Sequence, residues 1–145
     1  MCLKRNWYIE QEDYFLREIE KIGIILRSLI NSLTGNNENL AITISNNFET
    51  TNEKLINETG FDLTKFLALE EPASGDYISG FKGINTENLE LLAKIIFLLG
   101  TNDKSDKKKI LLNKALNLYE LCNLADKTYS PDRENKINEI KIFLK

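Results

Sequence analysis

The sequence contains no histidine, and this absence restricts the chemistry open to the protein. Histidine is the commonest general base, the commonest metal ligand and the usual activator of serine and cysteine nucleophiles. Glycine-rich phosphate-binding patterns such as GxGxxG are also missing. We therefore predict no catalytic residue and no cofactor, and a non-enzymatic role is favoured over an enzymatic one.

Cysteine is scarce as well, since Cys2 and Cys122 are the only two in the chain. Their separation gives no CxxC or other spacing typical of metal ligands, so no metal site is predicted. Two isolated cysteines are typical of reduced cytosolic thiols rather than of a disulfide framework. We expect both thiols to stay unbridged, with Cys122 acting as a small apolar residue on its helix.

Long apolar runs and an excess of basic charge are absent too. The longest apolar stretches, residues 22–26 and 95–99, are far shorter than the ~18 residues that suggest a membrane span. The first 13 residues lack the apolar segment of a secretory signal. The net charge of −3 supplies no basic field for a phosphate backbone. We therefore predict a cytoplasmic protein that binds a protein partner rather than a nucleic acid or a membrane.

The residues that are present indicate an all-helical fold. The chain has 145 residues, of which 42% are hydrophobic, and this suffices for one domain with a buried core. We predict a single all-helical domain over residues 1–145. Between Glu12 and Leu33, apolar residues are spaced alternately by four and three, which is the pattern of a long amphipathic helix. The seam consists of Phe15, Ile19, Ile22, Leu26, Leu29 and Leu33, widened by Leu16, Ile25 and Ile30.

The width of this seam favours packing within a monomer over a coiled-coil dimer. The periodicity alone leaves a homodimer open, because a two-stranded coiled coil uses the same alternation of four and three. Monomer and homodimer therefore both stay possible on the sequence.

Turn and capping residues divide the rest of the chain into shorter helices. Residues 40–48 suit either a strand or a helix, and we predict a helix because no second strand-like run could pair with a strand. Gly60 and Gly100 are expected to end helices. Asp62 is expected to cap another helix, and Ser130-Pro131-Asp132 to open the last one. With one helical turn predicted within residues 73–84, the fold class is an all-α multi-helix bundle of about five or six helices.

One pair of carboxylates has the spacing of a magnesium site. Glu87 and Glu90 form an ExxE pair, as in all-helical nucleotide pyrophosphatases, in which an ExxD pair follows. Here Glu120 is followed by Asn123 in place of the aspartate, so the pattern is incomplete. Glu87 also lies in a first helical turn, where the helix dipole favours acids, and Glu90 has the i,i+4 spacing of an ion pair with Lys94. Helix electrostatics is the favoured interpretation.

The only basic run is residues 107–109, three lysines preceded by Lys104. Such a run can contact phosphate, but no aromatic residue is interleaved with it. A solvated loop and helix start is therefore favoured.

Trp7 and Tyr8 are expected to lie just before the first helix. In that position they could anchor a partner or fold onto the bundle as a hydrophobic staple. The staple is favoured.

Five segments carry a resemblance to other proteins: residues 12–20 (EDYFLREIE), 60–63 (GFDL), 88–93 (NLELLA), 114–120 (KALNLYE) and 127–137 (KTYSPDRENKI). In these segments the chain resembles a family of short, uncharacterised bacterial helical proteins, some of which are described as TPR-like. The resemblance implies an all-α fold with a TPR-like C-terminal helical hairpin, and no known activity. The connector over residues 100–109 is longer than a TPR turn, and Lys108 falls where a small residue is expected. At most one degenerate repeat is therefore predicted.

Two functions follow from this inventory. The favoured one is a non-enzymatic helical adaptor, a protein–protein interaction module that recognises a protein partner. The alternative is a magnesium-dependent hydrolase that uses carboxylates to act on a nucleotide or phosphoester. A hydrolase of this kind requires three or four carboxylates that converge in one pocket, whereas an adaptor requires an exposed apolar groove or patch.

Overall fold

The structure, a computed structural model, describes the backbone of residues 2–35, 40–127 and 129–145 and the side chains of residues 13–35, 48–127 and 129–145. Within these ranges it contains seven α-helices and no strand, which confirms the all-α bundle and exceeds the five or six helices expected. The helices are α1 (Cys2–Gly35), α2 (Leu40–Thr59), α3 (Leu63–Ala68), α4 (Ala73–Ser79), α5 (Thr86–Asn102), α6 (Lys107–Ala125) and α7 (Pro131–Leu144). None of the helices in the described part of the chain is both long and apolar enough to cross a membrane.

The helix α1 begins earlier than its apolar pattern indicates. The pattern starts at Glu12, but the helix starts at Cys2. Because no proline or glycine occurs between residues 2 and 12, nothing in the local sequence ends the helix there. Trp7 and Tyr8 therefore lie inside α1, and their predicted position before the first helix is wrong. Their side chains lie outside the described residues.

The second half of α1 packs against α5. Ile22, Leu26 and Leu29 are almost fully buried, whereas Phe15 and Leu16 at the start of the predicted seam are exposed. The reason is length: α1 has 34 residues and α5 has 17, so α5 can cover only about half of α1 at the same rise per residue. The seam prediction is right for the second half of α1 and wrong for its first half.

The helix α5 lies at the centre of the bundle, where it packs against α1, α2 and α6. Gly100 was expected to end it, but α5 continues to Asn102. A Cβ atom at Gly100 would lie 2.9 Å from Leu112 Cδ2, closer than carbon atoms approach without strain. Glycine is therefore needed here so that α5 and α6 can approach each other. The connector between them is residues 103–106, shorter than the predicted connector over residues 100–109.

The helices α2, α3 and α4 form the other side of the bundle. The described backbone from Leu40 onwards is helical, which confirms the helix prediction over residues 40–48. Gly60 has a φ of 82°, a conformation that favours glycine, and it follows the end of α2 as predicted. Asp62 caps α3, since its side chain accepts hydrogen bonds from two backbone N–H groups. Within residues 73–84, where a single turn was expected, residues 73–79 form the seven-residue helix α4. Four aromatic rings pack together beside these helices: Phe61, Phe66, Tyr77 and Phe81.

The helix α7 packs against α6 and completes a row of three consecutive helices, α5, α6 and α7. The Ser130 side chain accepts a hydrogen bond from the N–H of Arg133, and Pro131 is the first helical residue, as predicted. Cys122 of α6 is fully buried, whereas Ala125, the last residue of that helix, is exposed. The TPR likeness of the hairpin and the single-domain organisation stay predictions.

Candidate functional site

The row of α5, α6 and α7 has two ends of different character. Consecutive helices run in opposite directions, so the start of α5, the end of α6 and the start of α7 share one end. Arg133 bonds to Glu90 and Asn123 there. The other end of the row contains the end of α5, the start of α6 and the end of α7, and there Lys108 lies over the ring of Phe143.

Arg133 is 4% exposed, a rare position for a charged side chain. It lies in the first turn of α7, and its Nε donates to Glu90 Oε1 at 2.9 Å. Nη1 donates to Asn123 Oδ1 at 3.0 Å, and Nη2 donates to Glu90 Oε1 and lies 3.5 Å from Asp126 Oδ2. The guanidinium is thus buried with its charge compensated, and it joins α7 to α5 and to the end of α6.

Burial alters the titration of three groups in this region. Burial would lower the pKa of the Arg133 guanidinium, but the hydrogen bond and the charge of Glu90 raise it above its ordinary value. Burial, and then the charge of Glu90, raise the pKa of the Cys122 thiol to about 11. The same two causes raise the pKa of Tyr119 well above its ordinary range. None of the three groups changes protonation state near neutral pH, so none is suited to acid–base catalysis there.

An open cavity of about 530 Å³, the Arg133 cleft, lies beside this network. The cleft is lined by Thr86, Glu87, Glu90, Leu91, Ala125, Asp126 and Arg133. It brings together Glu87 and Glu90, the predicted ExxE pair. Each of the two carboxylates is bound by an arginine, because Arg27 Nη2 donates to Glu87 Oε1 at 3.0 Å and Arg133 holds Glu90. The predicted ion pair of Glu90 with Lys94 is replaced by the pair with Arg133.

The second half of the magnesium-site pattern is not assembled. Glu120 is exposed and does not line the cleft, and the Oδ1 atom of Asn123 accepts from Arg133. Asp126, which belongs to no metal-binding pattern of the sequence, does line it. Within the part of the chain that the structure describes, no group of three or more His, Cys, Asp or Glu side chains could hold a metal ion. The cleft is therefore bordered by three carboxylates whose charge is opposed by Arg27 and Arg133.

The opposite end of the row carries an apolar groove of about 240 Å³. The apolar groove is lined by Phe97, Thr101, Lys108, Leu112, Glu139, Ile140, Ile142 and Phe143. Phe97, Leu112 and Ile140 are buried and form its floor. Ile142 and Phe143 stand at its rim and are 71% and 47% exposed. Large apolar side chains at the edge of an apolar depression are typical of an association surface.

Lysines of the basic run stand beside the apolar groove. The Nζ atom of Lys108 lies 4.3 Å from the centroid of the Phe143 ring and 3.5 Å from the carbonyl oxygen of Thr101. Lys107 is the first residue of α6, and its Nζ lies 4.1 Å from the centroid of the Phe48 ring. The helix start was expected, but the two aromatic partners were not, because they are distant in the sequence. Aromatic rings thus accompany the basic run in space although none is interleaved with it in the sequence.

A second exposed apolar surface lies on the first half of α1. Tyr14, Phe15 and Leu16 are consecutive and exposed, and the rings of Tyr14 and Phe15 meet edge to face. The Arg133 cleft and the apolar groove are lined by other residues.

Comparisons with known proteins give no match. No protein-family model matches the chain, and neither a curated protein nor a solved structure is significantly similar to it.

Proposed function

We propose that this protein is a non-enzymatic helical adaptor that binds a protein partner through the apolar groove. The observation that carries the proposal is the exposure of Ile142 and Phe143 above a buried apolar floor. Covering a fully exposed side chain of this size contributes roughly 1.5–3 kcal/mol. Two such side chains and the groove floor can therefore anchor one apolar segment of a partner.

The shape of the groove favours a protein partner over a small molecule. Its volume of about 240 Å³ is below the roughly 300–1,000 Å³ that is typical of small-molecule pockets. Its polar lining residues, Thr101, Lys108 and Glu139, lie on three different helices. An anchor side chain from a partner helix suits a depression of this size.

The proposal includes a cytoplasmic, bacterial setting. Its support is the sequence: reduced-type cysteine usage and the resemblance to a family of short bacterial helical proteins.

The adaptor proposal is tested with a designed amphipathic helical peptide that carries leucines at i, i+3 and i+7 and uncharged polar residues elsewhere. We expect the peptide to shift the methyl NMR signals of Leu112, Ile140 and Ile142. The variant Ile142→Ala should weaken binding. Leu124→Ala is the matched control, because Leu124 is 77% exposed on α6 and does not line the groove. Peptide binding that leaves the groove signals unchanged, or that shifts residues 14–16 instead, contradicts the proposal.

The magnesium-dependent hydrolase is the alternative, and the Arg133 cleft is the place where it would act. Its support is the approach of Glu87, Glu90 and Asp126 to one cavity. Against it stand the two arginines, which contact Glu87 Oε1, Glu90 Oε1 and Asp126 Oδ2 and oppose the negative charge that would attract a metal ion.

Calorimetric titration with magnesium, manganese and zinc separates the two functions. We expect no saturable heat from any of the three ions. A stoichiometric signal that is lost in Glu87→Gln, and kept in the control Glu120→Gln, would favour the hydrolase and contradict the adaptor.

A further inference from the structure

We infer that the partner segment bound in the apolar groove is an acidic amphipathic helix. This inference rests on the proposed function and specifies the chemistry of the partner. It follows from the charges around the groove, from the start of α6 and from the helical walls of the groove.

The surroundings of the apolar groove are basic, although the whole chain has a net charge of −3. Residues 97–112 and 139–143, the two stretches that contain all the lining residues, include five lysines: Lys104, Lys107, Lys108, Lys109 and Lys141. The same two stretches include three carboxylates, and they are Asp103, Asp106 and Glu139. This end of the row therefore has an excess of positive charge that the rest of the molecule lacks.

The lysines of this end form no ion pair with any residue that the structure describes. The other end differs, since Arg133 pairs with Glu90 and Lys136 pairs with Asp132 at 2.8 Å. Positive charge is thus compensated inside the protein at one end and left for an external anion at the other. An acidic partner supplies the missing charge, and because four of the five lysines are exposed, its contribution depends on ionic strength.

The first turn of α6 adds to this charge excess. It contains three lysines and no acidic residue, and Asp106 before it makes no capping hydrogen bond with its side chain. The N-terminal end of a helix dipole is positive, so these lysines lie where a cation is least favoured. A carboxylate from the partner close to this turn would interact favourably with both the dipole and the lysines.

The walls of the groove favour a helix over an extended peptide. They are formed by α5, α6 and α7, and the described residues contain no strand whose edge could pair with an extended chain. A segment that enters the groove must satisfy its own backbone hydrogen bonds, and an amphipathic helix does so. Single-stranded nucleic acid is less favoured, because Lys108 already covers a face of the Phe143 ring on which a base would stack.

Three peptides test the inference on the full chain. They share leucines at i, i+3 and i+7 and differ only in the remaining positions, which carry glutamate, uncharged polar residues or lysine. By calorimetry in about 0.01 M salt, where screening is weak, we expect the glutamate peptide to bind at least tenfold more tightly than the uncharged one. The difference should disappear in about 1 M salt, where the Debye length is only about 3 Å.

Charge-reversal variants locate the effect. Lys108→Glu combined with Lys141→Glu should remove the tenfold preference, whereas Lys82→Glu, a lysine in the loop before α5, should retain it. Circular dichroism of each variant confirms that it is folded, and Lys108→Gln with Lys141→Gln serves as a milder pair. Ile142→Ala should lower the affinity of all three peptides by a similar factor, because it removes an apolar contact that they share.

The outcomes separate this inference from the proposed function. Equal binding of the glutamate and uncharged peptides overturns the acidic helix and leaves the adaptor standing. Failure of all three peptides overturns both. A single-stranded oligonucleotide can be titrated in the same way. If it displaces the glutamate peptide and binds more weakly to the variant with Lys108→Gln and Lys141→Gln, the ligand of the groove is nucleic acid and the acidic helix is overturned. If the protein dimerises at high concentration and Ile142→Ala abolishes the dimer, the occupant of the groove is a second copy of this chain and not an acidic helix.

Discussion

The same three helices, α5, α6 and α7, build both ends of the row. The two ends differ in whether their charged and large apolar side chains find a partner within the protein. At the Arg133 end, a buried guanidinium bonds to Glu90 and Asn123 and lies beside Asp126. At the groove end, Ile142 and Phe143 are exposed. The comparison indicates that the first end holds the helices together and that the second leaves large apolar side chains uncovered.

This difference can be measured, because removal of one partner has opposite consequences at the two ends. A buried charge that loses its partner is strongly unfavourable, since it can no longer be compensated or hydrated. An exposed apolar side chain that is removed changes the free energy of unfolding very little. We therefore expect stability to depend on the Arg133 end and binding to depend on the groove end.

The largest effect is expected for Glu90→Ala. It leaves the buried Arg133 guanidinium without its main charged partner, and we expect a loss of about 3–5 kcal/mol in the free energy of unfolding. The matched control is Glu87→Ala, which removes the pair with Arg27. Because both members of that pair are exposed, we expect a change of about 0–1 kcal/mol. Urea denaturation of both variants measures the difference, and equal losses would remove the distinction between a buried and a surface arginine.

A core substitution away from both ends gives the apolar reference. Leu26 in α1 is 2% exposed, so Leu26→Ala should destabilise the protein by about 2–5 kcal/mol, the usual cost of a large core truncation. The control is Ile24→Ala, an exposed position on the same helix. The melting temperature should not depend on protein concentration. A dimeric parent that becomes a folded monomer in Leu26→Ala would show instead that α1 is an association surface.

The Arg133 end should also make stability sensitive to alkaline pH. The pKa of Cys122 rises from an ordinary 9.0 to about 11 on folding, so the unfolded chain loses this proton first. The contribution of the neutral Cys122 thiol to stability is therefore fully present below pH 9. As the pH rises to about 11, the free energy of unfolding should fall by about 2–3 kcal/mol. Tyr119, whose pKa burial also raises above its ordinary 10.0, acts in the same direction at higher pH. Urea denaturation at pH 8, 10 and 11 measures this loss, and Cys122→Ala should reduce it. An unchanged slope in that variant would assign the loss to other groups.

What the sequence could predict depends on the distance between the interacting residues. The caps at Asp62 and Ser130 act on residues at most three positions away, and both were predicted correctly. Arg133 and Glu90 are 43 positions apart, and the sequence paired Glu90 with Lys94 instead. One local signal was available: a cation in the first turn of α7 opposes the helix dipole, which indicates a compensating acid elsewhere in the fold.

The same limit explains the errors at the groove end. Gly100 has the local features of a helix end, and only the approach of Leu112 from the next helix shows why glycine occurs inside α5. The basic run was assigned to a solvated helix start, and Lys107 and Lys109 are indeed exposed at the start of α6. What the sequence could not show is the pair of rings beside Lys107 and Lys108, because Phe48 and Phe143 are remote in the sequence. Periodicity identifies the face of α1 that is apolar, but the length of α5 decides how much of that face is covered.

The smallest effect on stability is expected at the groove rim, for Ile142→Ala. The side chain is 71% exposed, so its truncation leaves no cavity and should change the free energy of unfolding by less than about 0.5 kcal/mol. Leu124, near the C-terminal end of α6, is 77% exposed, so Leu124→Ala should change the free energy of unfolding by a similar amount. Urea denaturation of the two variants, beside the peptide titration already described, tests stability and binding on the same proteins. If Ile142→Ala alone lost more than about 1 kcal/mol, the groove rim would belong to the folded core, and the contrast between a partnered end and a binding end would fail.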